Sequence, residues 1–189
     1  MMEQPVHPGE TCVTLFRGRF LELIKEGKWE YARRVNADGA VMVIAVTQER
    51  ELLLVEEYRV PLHASTIGLP AGIAGDAGTE STLHAAQREL EEESGYRASS
   101  WAHVLTGPSS PGLATEMVSF YLASGLQRVT AGGGVDHENI TVHRVPLKEV
   151  HDWLMDQIGQ GKVVDPKIFM GLYFLLRQNH CSSENGVSC

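Results

Sequence analysis

The sequence predicts an α+β fold: a mixed β-sheet flanked by helices, preceded by an antiparallel hairpin extension. Three observations lead there. Ala40–Thr47 reads A-V-M-V-I-A-V-T, a continuous apolar run of strand length, as expected for a strand buried on both faces. Leu147, Val150, Trp153, Leu154 and Ile158 recur at helical spacing. Strand-like and helix-like segments alternate along the chain, a pattern that layers helices on a sheet. At 189 residues the chain suits one domain and can bury a substantial core.

Residues 1–36 contain V-T-L-F-R-G-R-F-L-E-L-I-K-E-G-K-W-E-Y-A-R-R-V, two β-rich runs around a polar turn at Lys25–Lys28. A two-stranded hairpin is marginal in water, so this extension is expected to pack on something else. After the Ala40 strand, Glu51–Tyr58 (E-L-L-L-V-E-E-Y) supplies the next, and Trp101–Thr106, Met117–Ala123 and Ile140–Val145 supply three more. The Leu147–Ile158 helix stops near Gly159–Gly161. Asp165-Pro166 is a start signal for a last helix to about Arg177. The expected division is hairpin extension 1–36, main domain 37–180 and a polar, disordered tail 181–189.

Composition narrows the function. A net charge of −8 argues against a nucleic-acid partner and requires local cations wherever an anion is to bind. No apolar run approaches the ~20 residues of a membrane span. M-M-E-Q-P-V-H-P has neither a basic nor an apolar leader region, so no secretion signal is expected. Cys12, Cys181 and Cys189 form no disulfide or metal-ligand spacing, which suits a reducing, cytoplasmic location. The histidines show no paired-ligand spacing and are read as ordinary.

The stretch from Pro70 to Tyr96 carries the chemistry. Ser81 is a candidate N-cap for a helix over Thr82–Ser94, and Gly95 fits the position that ends it. On that helix Glu89, Glu92 and Glu93 stand at i, i+3 and i+4, which puts three carboxylates on one face. Charges so close repel; solvent or a bound cation relieves them. An isolated acidic helix is usually a solvated face. Here, however, the loop L-P-A-G-I-A-G-D-A-G-T-E precedes it, and small residues allow backbone to approach a ligand closely.

The spacing E-x7-R-E-L-x-E-E-x-G-Y, from Glu80 to Tyr96, resembles the core of the Nudix box, the signature of hydrolases acting on a nucleoside diphosphate linked to another group. One departure stands out. The family has a glycine with five residues between it and the first glutamate, but here that position is Ala74 and Gly72 has seven residues between it and Glu80, as in a loop two residues longer. L-L-L-V-E-E-Y-R-V-P, S-P-G-L-A-T-E, V-D-P-K-I and W-E-Y-A-R-R are similar to segments of ADP-ribose pyrophosphatases, over about residues 15–176. Pro111 falls sixteen residues after Gly95, as in that subgroup. Related GDP-mannose hydrolases share much of this pattern.

The resemblance implies a Nudix α/β/α sandwich and hydrolysis of the pyrophosphate of ADP-ribose or a related nucleoside diphosphate sugar. Hard oxygen donors suit Mg²⁺ or Mn²⁺, two or more ions. Glu89 and Glu93 are the first choices as ligands and Glu92 the next, also as a catalytic candidate. The resemblance adds the Ala71 carbonyl as a backbone ligand. Arg88 and Glu80 read as structural. A base must deprotonate the attacking water, and the residues leave Glu116 and Glu138 open. The resemblance favours Glu138, with Glu116 as a metal or supporting contact. In that subgroup the hairpin is commonly exchanged between two protomers, which implies a homodimer with Phe20 and Trp29 stacking on the base. Arg34 and Arg59 are candidates for base or phosphate contacts. A GDP-mannose-type or dinucleoside polyphosphate hydrolase and a non-catalytic nucleotide-sugar sensor remain as alternatives.

Overall fold

A computed structural model describes residues 11–37, 39–75, 78–135 and 139–183. The N-terminal part is a three-stranded antiparallel sheet rather than a two-stranded hairpin: β1 (Cys12–Arg17), β2 (Leu21–Glu26) and β3 (Trp29–Arg34), in that order. Gly18 and Arg19 interrupt the first predicted run, and Gly18 N–H donates to the Leu21 carbonyl at 2.8 Å, closing a turn where one long strand was expected. A third strand gives the extension an internal ladder on both sides of β2.

β4 (Gly39–Ala45) and β5 (Glu51–Arg59) are the central strands. As its continuous apolar run foretold, β4 is buried on both faces, and β5 is buried over Leu52–Val55. Val41, Val43 and Leu53 enter one core; Ile44, Leu52 and Leu54 enter another. Alternation across each strand explains the split. After a 3₁₀ turn at Val60–Leu62 come β6 (Ala64–Gly68) and β7 (Ala71–Ala74), neither foreseen. Helix α1 (Thr82–Glu89) leads through a π-helical turn at Leu90–Ser94 into β8 (Tyr96–Pro108) and β9 (Met117–Arg128). β10 (Thr141–Pro146), α2 (Val150–Gly159), the short β11 (Val163–Val164) and α3 (Lys167–Ser183) complete the chain.

Two four-stranded sheets result, in the orders β7-β4-β9-β8 and β10-β5-β6-β11. Both are mixed: β4 pairs with β9, and β6 with β11, in parallel. α1 covers the first sheet through Ala85 and Ala86, with Leu90 of the following turn beside them. α2 and α3 cover the second through Val150, Leu154 and Ile168. α3 approaches closely at Gly171, where a Cβ would sit 3.2 Å from Ile44. The sandwich thus has helices outside and sheets inside, as predicted.

Two expectations need correction. In α2 it is Gln157, not Ile158, that faces inward, and Ile158 is 46% exposed. The helix ends at Gly159, so its last turn no longer follows the apolar stripe. α3 runs six residues past Arg177 into the expected tail, which leaves 184–189 outside the described residues. Among the described residues no helix is long and apolar enough to cross a membrane.

Candidate active site

The site is organised by α1 and the turn after it. The Ser81 hydroxyl accepts the His84 N–H at 3.2 Å, the N-cap the sequence predicts. Gly95 closes the far end at φ 80°, a left-handed conformation glycine adopts without strain. Between them the α-helix gives way to a π turn at Leu90–Ser94, a feature common at functional sites. Glu89 and Glu93 line one cleft; Glu92 and Arg88 line another. One Arg88 nitrogen nevertheless donates to both Glu89 and Glu92, which keeps those two carboxylates side by side.

Arg88 ties the helix to the preceding loop. Its guanidinium donates to Glu80 at 3.0 Å, to Glu89 at 2.8 Å, to Glu92 at 3.0 Å and to the Ile73 carbonyl at 3.2 Å. Burial disfavours its charge, but these partners outweigh that and hold its pKa above the ordinary value. The structural role read for Arg88 and Glu80 has its geometry here. Glu93 is 5% exposed and accepts the Ala71 N–H at 2.9 Å. Glu89 presses so close to Gly72 that a Cβ there would lie 1.9 Å from its carboxyl carbon. The small-residue loop thus delivers its backbone to the carboxylate face, and its first part is strand β7.

The cleft that Glu89 and Glu93 border has a volume of ≈ 320 Å³. Arg34, Arg59, Ala71 and Glu116 also border it, so six of the predicted site residues converge. Arg34 pairs with Glu116, and Arg59 with Glu57. Glu57 and Lys167 belong to the cleft but were not singled out in the sequence. For Glu57 a signal existed: it stands two residues before Arg59 on β5 and so shares its face. Lys167 pairs with Asp165 at 3.0 Å and reaches the cleft from the first turn of α3. Four carboxylates and three cations meet there. That mixture suits an anionic substrate held together with positive ions.

Phe20 and Trp29 are not brought to this cleft; they are 66% and 62% exposed on the N-terminal sheet. Arg19 lies over the Phe20 ring at 5.0 Å. Glu138 lies outside the described residues. The segment leading to it is nevertheless anchored to the helix end. Gly133 N–H donates to the Glu93 carbonyl at 2.8 Å and Gly134 N–H to the Glu92 carbonyl at 3.0 Å. Gly132 must be glycine for this contact, since a Cβ would meet the Ser94 backbone at 2.4 Å. A second concavity of ≈ 530 Å³ lies between this segment and Glu91–Glu92. It is larger than the cleft but carries little of its charge.

The donors around Glu89 and Glu93 are hard oxygens, which fit Mg²⁺ or Mn²⁺. Among the described residues no three His, Cys, Asp or Glu side chains are gathered as a ready cage.

Comparison with known proteins places this geometry. The NUDIX domain model matches residues 37–165. A methanol dehydrogenase activator of Bacillus methanolicus is 32% identical over 87% of this chain and 89% of its own length. An ADP-ribose pyrophosphatase of Bacillus subtilis is 30% identical over 85% and 88%. A GDP-mannose pyrophosphatase of Escherichia coli is 28% identical over 82% and 80%. A solved structure described as an ADP compounds hydrolase superposes with a TM-score of 0.72, covering 96% of this chain and 99% of that one at 20% identity, which speaks to the fold. With the box helix, its arginine clamp and the carboxylate cleft in place, the chain belongs to the NUDIX family, as a protein of the ADP-ribose pyrophosphatase type.

Proposed function

We propose that this Nudix pyrophosphohydrolase cleaves the diphosphate of ADP-ribose or a related nucleoside diphosphate sugar, with Mg²⁺ or Mn²⁺, two or more ions, as cofactor. The observation that carries this reading is the joining of Glu89, Glu93 and Ala71 to Arg34, Arg59 and Lys167 around one cleft. Glu89, Glu93 and the Ala71 carbonyl would hold the metal, and the cations would receive the phosphate oxygens. Bound divalent ions supply Lewis-acid neutralisation of the phosphates and lower the pKa of a coordinated water.

The remaining steps belong to the chain. Water attacks one phosphorus, the bridging P–O bond breaks, and a nucleoside monophosphate and a sugar phosphate leave. Glu138 takes the proton of the attacking water. Glu116, held by Arg34, steadies the cleft wall and is the second choice for base. Arg59 and Arg34 stabilise charge that builds on the departing phosphate.

The protein acts as a cytoplasmic homodimer in which the N-terminal sheet is shared between protomers. Support comes from the apolar outer face of this sheet. On β2, Glu22 and Ile24 are buried whereas Leu21 and Leu23 face out, 48% and 39% exposed. Val13 and Phe16 pair across from that face, at Lys25 and Leu23. An apolar surface so arranged is expected to be covered. Phe20 and Trp29 would then stack on the base in the partner's cleft.

The test is Mg²⁺-dependent release of AMP from ADP-ribose, run beside GDP-mannose and a dinucleoside polyphosphate. Preference for GDP-mannose would move the assignment toward that relative. No turnover on any of the three would leave a sensor and refute the hydrolase.

A further inference from the structure

Beside the catalytic cleft lies a smaller recess of ≈ 60 Å³. Glu57, Arg59, Ala71 and Glu93 border both spaces, so the recess opens from the cleft at the point where the phosphates would lie. Its inner wall is formed by Thr66 and Gly68 of β6 and by Asp165, just before α3. Parallel pairing sets Val163 against Thr66 and Val164 against Ile67, and Asp165 N–H donates to the Ile67 carbonyl at 2.9 Å. The carboxylate is thereby carried to the mouth of β6.

Three features describe what this recess takes. Thr66 Oγ1 is buried and, among the described residues, has no hydrogen-bond partner. Asp165 Oδ1 accepts the Lys167 N–H at 2.9 Å, and Lys167 Nζ spans both carboxylate oxygens at 3.1 and 3.0 Å. A carboxylate has about four acceptor positions, so capacity remains. A Cβ built on Gly68 meets nothing within 4 Å, so open space continues over that residue. The volume is too small for a nucleobase. A phosphate would face the three carboxylates of Asp165, Glu57 and Glu93 against one cation, Arg59. A hydroxyl fits: it can donate to Asp165 and exchange a hydrogen bond with Thr66, which a buried hydroxyl otherwise lacks at some cost.

We infer that this recess receives a hydroxyl-bearing edge of the sugar on the substrate's second phosphate, and that Thr66 and Asp165 set the choice of sugar. The inference rests on the nucleoside diphosphate sugar reading and deepens it. A site built to hydrogen-bond a substrate hydroxyl rejects an analogue lacking it far more strongly than an apolar pocket rejects a missing methylene. Discrimination among sugars therefore resides here, while the cleft itself holds the diphosphate and the base.

Two measurements on the full chain separate this inference from the reading beneath it. In calorimetry, ribose 5-phosphate binds at least tenfold tighter than methyl phosphate. Thr66→Val and Gly68→Val each collapse that ratio to below about threefold and leave methyl phosphate unchanged. In turnover, both variants lower kcat/KM for ADP-ribose by tenfold or more and leave that for the β-methyl ester of ADP as in wild type. Thermal melting accompanies both, and Gly68→Ala serves as a milder filling if the valine variant does not fold. A wild type that binds the two phosphates equally overturns the recess assignment, as do variants that keep the wild-type ratio or lose both ligands together. Failure of the wild type to turn over any diphosphate refutes the substrate reading instead, and calorimetry then decides the recess by itself.

Discussion

Gly72→Ala is the sharpest test of the site, because it adds one methyl group at a position where the geometry leaves no room. The new Cβ would fall 1.9 Å from both the carboxyl carbon and Oε1 of Glu89, and 2.5 Å from its Cγ. Contacts below 3.0 Å do not occur, so the carboxylate must retreat by at least 3.0 − 1.9 = 1.1 Å. What moves is the far end of a flexible side chain. Its cost is an off-rotamer torsion of ~0.5–1.5 kcal/mol, partly offset by the lower unfolded-state entropy of alanine. For a chain of this length that corresponds to a melting shift of about 1–6 °C. Catalysis is far less tolerant, since a misplacement of about 1 Å can cost ~10²-fold. The retreat also pulls Glu89 from its 2.8 Å contact with Arg88. The assay is kcat for AMP release from ADP-ribose at saturating Mg²⁺, paired with thermal denaturation. The expected result is a kcat lowered by about 100-fold with a melting point within about 6 °C of wild type. A kcat within threefold of wild type would show that the position of Glu89 does not matter, and the metal role assigned to it would fall.

The other predictions concern roles around the same cleft and one site away from it. Glu93→Gln keeps an oxygen for the Ala71 N–H but removes the charge, so metal-dependent turnover disappears while the melting curve stays close to wild type; near-normal turnover would remove Glu93 from the metal shell. Glu138→Gln lowers kcat by ~10²–10⁴, and an unchanged kcat there, with a loss in Glu116→Gln, would transfer the base to Glu116. Glu56 sits away from the cleft. Burial acts to raise its pKa, yet Lys162 at 2.8 Å and His143 at 2.9 Å prevail and lower it from 4.5. A depressed carboxylate contributes stability that is fully present above its unfolded value. That contribution is lost as pH falls below about 4.5 through the folded value. Melting measured from pH 7 to 3 should therefore fall less steeply in Glu56→Gln than in wild type, and parallel curves would contradict it. Light scattering at micromolar concentration should give twice the chain mass, and a monomer would end the shared-sheet arrangement.

Much of the fold was legible where a local rule acts alone. Ser81 and Gly95 bracket the box helix because capping and left-handed turns depend on single residues. β4 and β5 were legible because an unbroken apolar run has few other uses. β6, β7 and β11 were not, since A-S-T-I-G and A-G-I-A carry little strand propensity and are held by pairing with β5 and β4. Two residues of β11 exist only because they lie beside β6. In the site, spacing along the helix set Glu89 near Glu92, and one Arg88 nitrogen bridges the two. The π turn at Leu90–Ser94 was not legible because it is a tertiary choice. Lys167 reached the cleft only through the packing of α3, beyond any sequence window. Phe20 and Trp29 were marked by chemistry rather than position, and position within one protomer leaves both of them outward.

The glycine contact at the end of the box helix has a consequence for motion. With the carbonyls of Glu92 and Glu93 occupied by the amides of Gly134 and Gly133, fraying of that helix end and opening of the following segment are a single event. Amide protons at 133 and 134 would then exchange in step with those of the helix's final turn, as one cooperative unit. Anything that settles between the two glutamates would be felt as slowed exchange forty residues further along the chain.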